Sequence, residues 1–186
     1  MIRRAEKKDI ETVLPLILVI LKDMELDFLL KYGEETTLEV LRQGYVSEGF
    51  RYYYKRAIVA VENEEVVGVA FGYLDTEESI IDAPLKNIFA KLGIDLDEKM
   101  FVDKEAGENQ WYLDSIAVRD DQRGKGVGGK LLAALPKFIE ETNKIGLNVD
   151  KANPKAKKLY QRFGFVDAGE MIISGHKYDH MLRELH

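Results

Sequence analysis

The chain has 186 residues, 46% hydrophobic and 32% charged, with a formal net charge of −6 and no cysteine. That length supports one domain, residues 1–186, with a sizeable core, and the missing cysteines exclude disulfides, thiol catalysis and Cys-based metal sites. No apolar run approaches the roughly 20 residues of a membrane span, and Met1–Glu6 is not followed by a signal-peptide pattern, so a cytoplasmic protein without a membrane partner is expected.

The charge is uneven. Residues 1–110 hold 14 Lys/Arg against 23 Asp/Glu, and residues 111–186 hold 13 against 10. An anionic ligand on the basic part and a cationic one near the acidic part fit this balance. No basic stripe interleaved with aromatics appears, which argues against nucleic acid.

In chain order, Ile2–Ala5 reads as a short strand. Asp9 is placed to cap a helix over residues 10–24, with Ile10, Val13, Leu14, Ile17, Leu18 and Leu21 at helical spacing. Thr37–Val46 reads as a second helix. Ala57–Val61 and Val66–Leu74 are β-rich runs joined as a hairpin by Glu62–Glu65. Residues 75–110 form an insertion too long for a bare loop and suited to a lid or substrate element. It carries one predicted helix, Pro84–Leu92. Trp111–Val118 is a strand. The helix after it buries Val127, Leu131, Ala134, Leu135 and Phe138, and Pro136 should end its regular part. Ile145–Val149 is a strand. Asn153 caps the next helix with Pro154 at its first position, and Gly164 ends it. Phe165–Ile173 and Lys177–Leu182 close the chain. The alternation predicts a mixed α/β sheet.

The sharpest signal is Arg123-Gly124-Lys125-Gly126-Val127-Gly128-Gly129-Lys130, between a strand and a helix. Glycines allow a tight turn and close approach of a ligand, and the helix start offers unpaired N–H groups to an anion. As G-x-x-x-x-G-K it fits a P-loop, but Leu131 stands where Mg²⁺ needs a hydroxyl. As G-x-G-x-x-G it fits a dinucleotide fingerprint, with Asp150 placed for a ribose, yet it comes too late in the chain to leave room for a second mononucleotide half.

As R-x-x-G-x-G the segment resembles the GNAT superfamily of acetyl-CoA-dependent N-acetyltransferases. Leu113–Val118 precedes it, and Leu147-Asn148-Val149 and Asn153-Pro154 follow at that family's spacing. Ala156, Leu159-Tyr160 and Phe163-Gly164-Phe165 match its A-x-x-L-Y-x-x-x-G-F signature, and Tyr178–Met181 its closing strand. The match runs from 111 to 182. It implies a mostly antiparallel central sheet flanked by helices, with a cofactor cleft between two splayed central strands.

The resemblance assigns roles. Backbone groups of Ile116, Ala117 and Val118 would pair with the pantetheine arm of acetyl-CoA, and one N–H would polarise the thioester oxygen. Main-chain N–H groups of Gly124, Lys125, Gly126, Val127, Gly128 and Gly129 would hold the pyrophosphate, assisted by Arg123 or Lys125. Asn153 would contact the cofactor arm, and Tyr160 would give a proton to the departing thiolate. Some relatives carry Glu where this chain has Asn148, so the base must lie elsewhere. Asp114, the carboxylate inside the central strand, is the best substitute, with structural pairing as the other reading; Tyr112 shares its strand face. Tyr52–Tyr54 reads as aromatic packing or as pocket wall. His176 and His180 have i,i+4 spacing but sit in a strand-like segment without a third ligand, so no metal is expected. The acceptor implied is a small-molecule or peptide amine. Asp23, Glu25, Asp27, Glu34 and Glu35 favour a cationic one such as a polyamine or aminosugar, and a homodimer is left open. An NAD-type oxidoreductase and a non-catalytic acyl-CoA sensor are the alternatives.

Overall fold

The computed structural model describes residues 1–186. Seven strands form one sheet: β1 (Ile2–Arg4), β2 (Ala57–Glu62), β3 (Glu65–Leu74), β4 (Trp111–Val118), β5 (Lys144–Asp150), β6 (Val166–Ile173) and β7 (His176–Glu184). Their spatial order is β1-β2-β3-β4-β5-β7-β6. Every neighbouring pair is antiparallel except β4 and β5. The mixed, mostly antiparallel architecture is the one the sequence implies.

Helices cover both faces. α1 (Ile10–Asp23), α2 (Asp27–Tyr45) and α3 (Leu85–Leu92) lie on one side, and α4 (Val127–Ala134) and α5 (Pro154–Arg162) on the other. α1 buries Val13, Leu14, Ile17, Leu18 and Leu21, the stripe its period requires. α4 gives way to a 3₁₀ turn, Leu135–Lys137, at Pro136. No helix is long and apolar enough to cross a membrane.

Two local expectations need correction. Asp9 does not cap α1. Its carboxylate accepts the Glu6 N–H at 2.7 Å and takes both guanidinium nitrogens of Arg3. The second helix starts ten residues earlier than Thr37, at Asp27, and is broken at Gly33, whose φ of 83° no helix accommodates. The turn between β2 and β3 has two residues, Asn63 and Glu64, both with positive φ. That backbone matches the twist of a tight hairpin and suits Asn better than Glu.

The feature that makes a site is a mismatch in β4. Gly72 of β3 faces Leu113, and Phe71 faces Ser115, so Asp114 has no partner. A bulge of this kind bends the strand and re-aims a side chain. Pairing of β4 with β5 runs from Trp111↔Ile145 to Leu113↔Leu147 and stops at that point. Beyond Leu113 the two strands separate.

Candidate active site

The separation opens a cleft of about 400 Å³ between β4 and β5. Tyr112–Ile116, Leu147, Asn148, Asp150, Ala152, Asn153 and Tyr160 line it, with Ile20 and Asp23 of α1, Met24 just after it, Glu105 of the insertion, and Ile173 and Tyr178. Four carboxylates line it, and no lysine or arginine does.

Strand alternation decides which backbone faces the opening. Arg119 N–H donates to the Val67 carbonyl, and Ala117 is paired with Val69. Alternate residues of an antiparallel strand bond to opposite sides. Ile116 and Val118 therefore turn their main-chain groups to the cleft, while those of Ala117 are spent on β3. Of the three residues expected to meet a ligand arm, Ile116 and the N–H of Val118 are free to do so, while the Val118 carbonyl accepts from Arg123.

The glycine loop lies beyond the end of β4. Gly124 and Gly126 have φ of 76° and 81°, a region L-residues avoid. A Cβ at either would meet no atom within 4 Å, so the backbone there is open to approach. The first intrahelical bond of α4 runs from Lys130 N–H to the Gly126 carbonyl, leaving the N–H groups of Val127, Gly128 and Gly129 without helical partners. Val127 is buried and anchors the turn. Gly129 has a packing reason as well, because a Cβ there would lie 2.8 Å from the Phe163 ring. Arg123 pairs with Asp120 at 3.1 Å and donates to the Val118 carbonyl, and Lys125 reaches Gln122. Both cations are solvent-facing at the loop.

Asn153 caps α5 by accepting the Ala156 N–H at 3.1 Å. Its amide nitrogen donates to no protein group and borders the cleft. Tyr160 packs edge-on against Phe165, and its hydroxyl has no protein partner. Burial pushes that phenol up to about 12, so it keeps its proton and remains a donor. The left-handed glycines, unpaired N–H groups, open strand edge, Asn153 amide and Tyr160 hydroxyl fit a phosphate-bearing thioester such as acetyl-CoA.

Behind the cleft lies a charged cluster that no local sequence signal reveals. Arg51 is 2% exposed. Its Nη1 is 2.7 Å from both Asp114 Oδ1 and Glu105 Oε2, and its other nitrogens reach Asp82. Phe101 stacks on it at 4.2 Å. Asp114 Oδ2 accepts the Ser115 hydroxyl at 2.7 Å, so both oxygens of Asp114 are engaged. Tyr52, on the same wall, reaches Ser115 Oγ and packs edge-on against Phe71, which is the aromatic packing expected of it. Glu105 differs from Asp114. Only one of its oxygens receives a protein donor, and its carboxyl lies beside that of Asp114. Burial, then the Asp114 charge, push its carboxyl up to about 8 against the pull of Arg51.

Asn148, which stands where some relatives have Glu, organises this wall. Its amide nitrogen donates to the Tyr112 hydroxyl (3.1 Å) and to the Glu105 carbonyl (3.0 Å). Its oxygen must then accept from His180 Nδ1, 2.6 Å away, which makes Nε2 the acceptor for Gln110 at 3.3 Å. Burial lowers the His180 pKa and favours this neutral tautomer. His176 lies apart from it, facing Asp150 at 3.6 Å and Glu25 at 3.8 Å. Of the five acidic residues near α1 and α2 singled out in the sequence, Asp23 alone borders the cleft.

A profile of the Acetyltransferase (GNAT) family matches residues 20–165. The chain belongs to that family. A crystal structure of an acetyltransferase is 44% identical over the whole of both chains, with a TM-score of 0.89. An N-acetyltransferase from Staphylococcus aureus Mu50 is 26% identical over 98% of this chain and 99% of its own, with a TM-score of 0.85. Among curated proteins, spermine/spermidine N(1)-acetyltransferase of Bacillus subtilis is 36% identical over 86 residues, 45% of this chain and 55% of that protein. The chain thus spans about half the length of that curated relative. These relatives support neither the oxidoreductase nor the sensor alternative.

Proposed function

We propose that this acetyltransferase-family chain moves the acetyl group of acetyl-CoA, its co-substrate, onto the primary amine of a small cationic acceptor. The co-substrate supplies the acetyl group as an activated thioester. The N–H groups at the start of α4 would hold its pyrophosphate, the cleft-facing main chain of Ile116 and Val118 its arm, and the Asn153 amide would add a donor. Tyr160 would protonate the departing thiolate. The chain has no thiol to carry an acyl intermediate, which favours direct transfer in a ternary complex.

The observation that carries the acceptor class is the lining of the cleft: Asp23 and Asp150 border it with no lysine or arginine partner, beside Asp114 and Glu105, which share the charge of Arg51 behind the wall. Such a surface attracts an ammonium and repels a carboxylate. The polyamine specificity named for the B. subtilis relative agrees with it. The test is thiol release from acetyl-CoA with a polyamine, an aminosugar, a zwitterionic amino acid and a peptide amine. Turnover should be fastest with the polyamine and weakened by salt. Preference for the zwitterion would overturn the cationic assignment, and release with no amine would overturn the activity.

A further inference from the structure

We propose that Glu105, delivered by the 75–110 insertion, is the group that takes the proton from the bound ammonium. The proposal rests on the acetyl-transfer reading above.

The geometry sets Glu105 apart from every other carboxylate of the cleft. Asp114 has both oxygens engaged, by Arg51 and by Ser115. Asp150 Oδ1 accepts the Ala152 N–H, and Oδ2 faces His176. Asp23 borders the cleft from the last turn of α1. Glu105 borders the cleft at the bulge beside the Asp114 carboxyl, uses Oε2 on Arg51 and receives no protein hydrogen-bond donor on Oε1.

Its backbone is held at both ends. The Glu105 N–H donates to Glu78 at 2.9 Å, and the neighbouring Ala106 N–H donates to the same carboxylate at 3.1 Å. The Glu105 carbonyl accepts from Asn148 at 3.0 Å. Tyr73 also donates to Glu78. A loop residue so constrained is positioned, and positioning is what a general base needs. The amide of Asn148 cannot take a proton itself. It fixes the main chain of the residue that can.

The groups facing Glu105 are Arg51 and Tyr52 ahead of β2, Asp114 and Tyr112 on β4, Tyr73 on β3, Glu78 within the insertion, and Tyr178 on β7. Burial and the Asp114 charge raise the Glu105 carboxyl, and Arg51 opposes them. A base near 8 matches proton transfer from an amine whose reference pKa is about 10.4 far better than an ordinary carboxylate does.

The step balances. An ammonium N–H bond breaks and the proton passes to Glu105 Oε1. The freed nitrogen pair forms the C–N bond as the thioester C–S bond breaks. The second nitrogen proton leaves with amide formation and offsets the proton gained by the thiolate. Glu105 returns its proton to solvent through the cleft mouth, so one proton is released per turnover.

The test is Glu105→Gln, assayed for kcat/KM against pH with a polyamine and with trifluoroethylamine, which is already neutral at the assay pH. With the polyamine, kcat/KM should fall by about 10²–10³-fold, and the ascending limb should move from near 8 toward the pKa of the amine. With trifluoroethylamine the loss should be less than about 10-fold. An equal loss for both amines at every pH would overturn the assignment and leave Glu105 a structural partner of Arg51. Should the variant not fold, the wild-type profile decides. An ascending limb near 8 that does not follow the pKa of the acceptor supports Glu105, and a limb that tracks it removes the base. Absence of turnover in the wild type with any amine would instead strike the acetyl-transfer reading.

Discussion

Glu105 and Asp114, nine residues apart in sequence, meet at one nitrogen: Arg51 Nη1 lies 2.7 Å from an oxygen of each. One buried cation thus joins the insertion to the bulge in β4. Removing it would leave two carboxylates buried and unopposed, the costly half of breaking a buried ion pair. Arg51→Met is expected to destabilise the protein by about 3–5 kcal/mol, read from urea unfolding. A loss under about 1 kcal/mol would show that the cluster is hydrated and weakly coupled.

The raised carboxyl of Glu105 fixes the sign of a pH dependence. A folded pKa above the unfolded value means that the native state holds the extra proton. The stability due to Glu105 is complete below its ordinary value near 4.5 and is lost as pH rises through about 8. Thermal midpoints should therefore fall between about pH 5 and 8, and Glu105→Gln should flatten that slope. A wild-type midpoint that rises over this interval would contradict the burial argument.

The glycines of the loop separate into two kinds. Gly126→Ala forces a residue with a Cβ to a φ of 81° in open space. It should cost about 1 kcal/mol in stability and weaken acetyl-CoA binding several-fold by calorimetry. Gly129→Val drives side-chain atoms into the Phe163 ring. It should cost about 1–3 kcal/mol through overpacking. Calorimetry and chemical denaturation on both variants distinguish a ligand role from a packing role.

Tyr160→Phe removes a hydroxyl with no protein partner, so stability should hardly change. Loss of proton delivery to the thiolate should lower kcat by about 10²-fold while the dissociation constant of acetyl-CoA stays within about 2-fold. An unchanged kcat would leave Tyr160 as a wall of the cleft packed on Phe165.

Asn148→Ala deletes the donors to Tyr112 and the Glu105 carbonyl and orphans His180. The expected loss is about 1–3 kcal/mol of stability, with a fall in kcat that exceeds any change in KM for acetyl-CoA. Steady-state kinetics with each substrate varied would show the split. A pure KM effect would mean that the wall binds without positioning.

Most of the elements are legible from local pattern. The β4 boundaries, the Pro136 break in the helix after the loop and the Asn153 cap all follow from side-chain period, a missing N–H or a single side-chain acceptor. The glycine loop announces its own chemistry, because left-handed φ and an exposed helix start are consequences of residue type. Asp9 misleads for the same local reason. A residue well suited to a cap is claimed instead by Arg3, a partner that the helix pattern does not contain.

What the sequence by itself determined, then, is the order and type of the elements, the glycine loop and the family to which the chain belongs, since each is written in spacings of a few residues. The tertiary structure alone decided where the cleft opens, that Asp114 is spoken for, and that Arg51, Glu105 and Asn148 converge on it. Those facts depend on a one-residue register slip between β3 and β4 and on contacts across 43 and 63 positions of chain. A lone arginine ahead of a tyrosine run and a glutamate in a long insertion carry no local mark of meeting. Only the burial of the sheet brings their charges into a medium where they must pair.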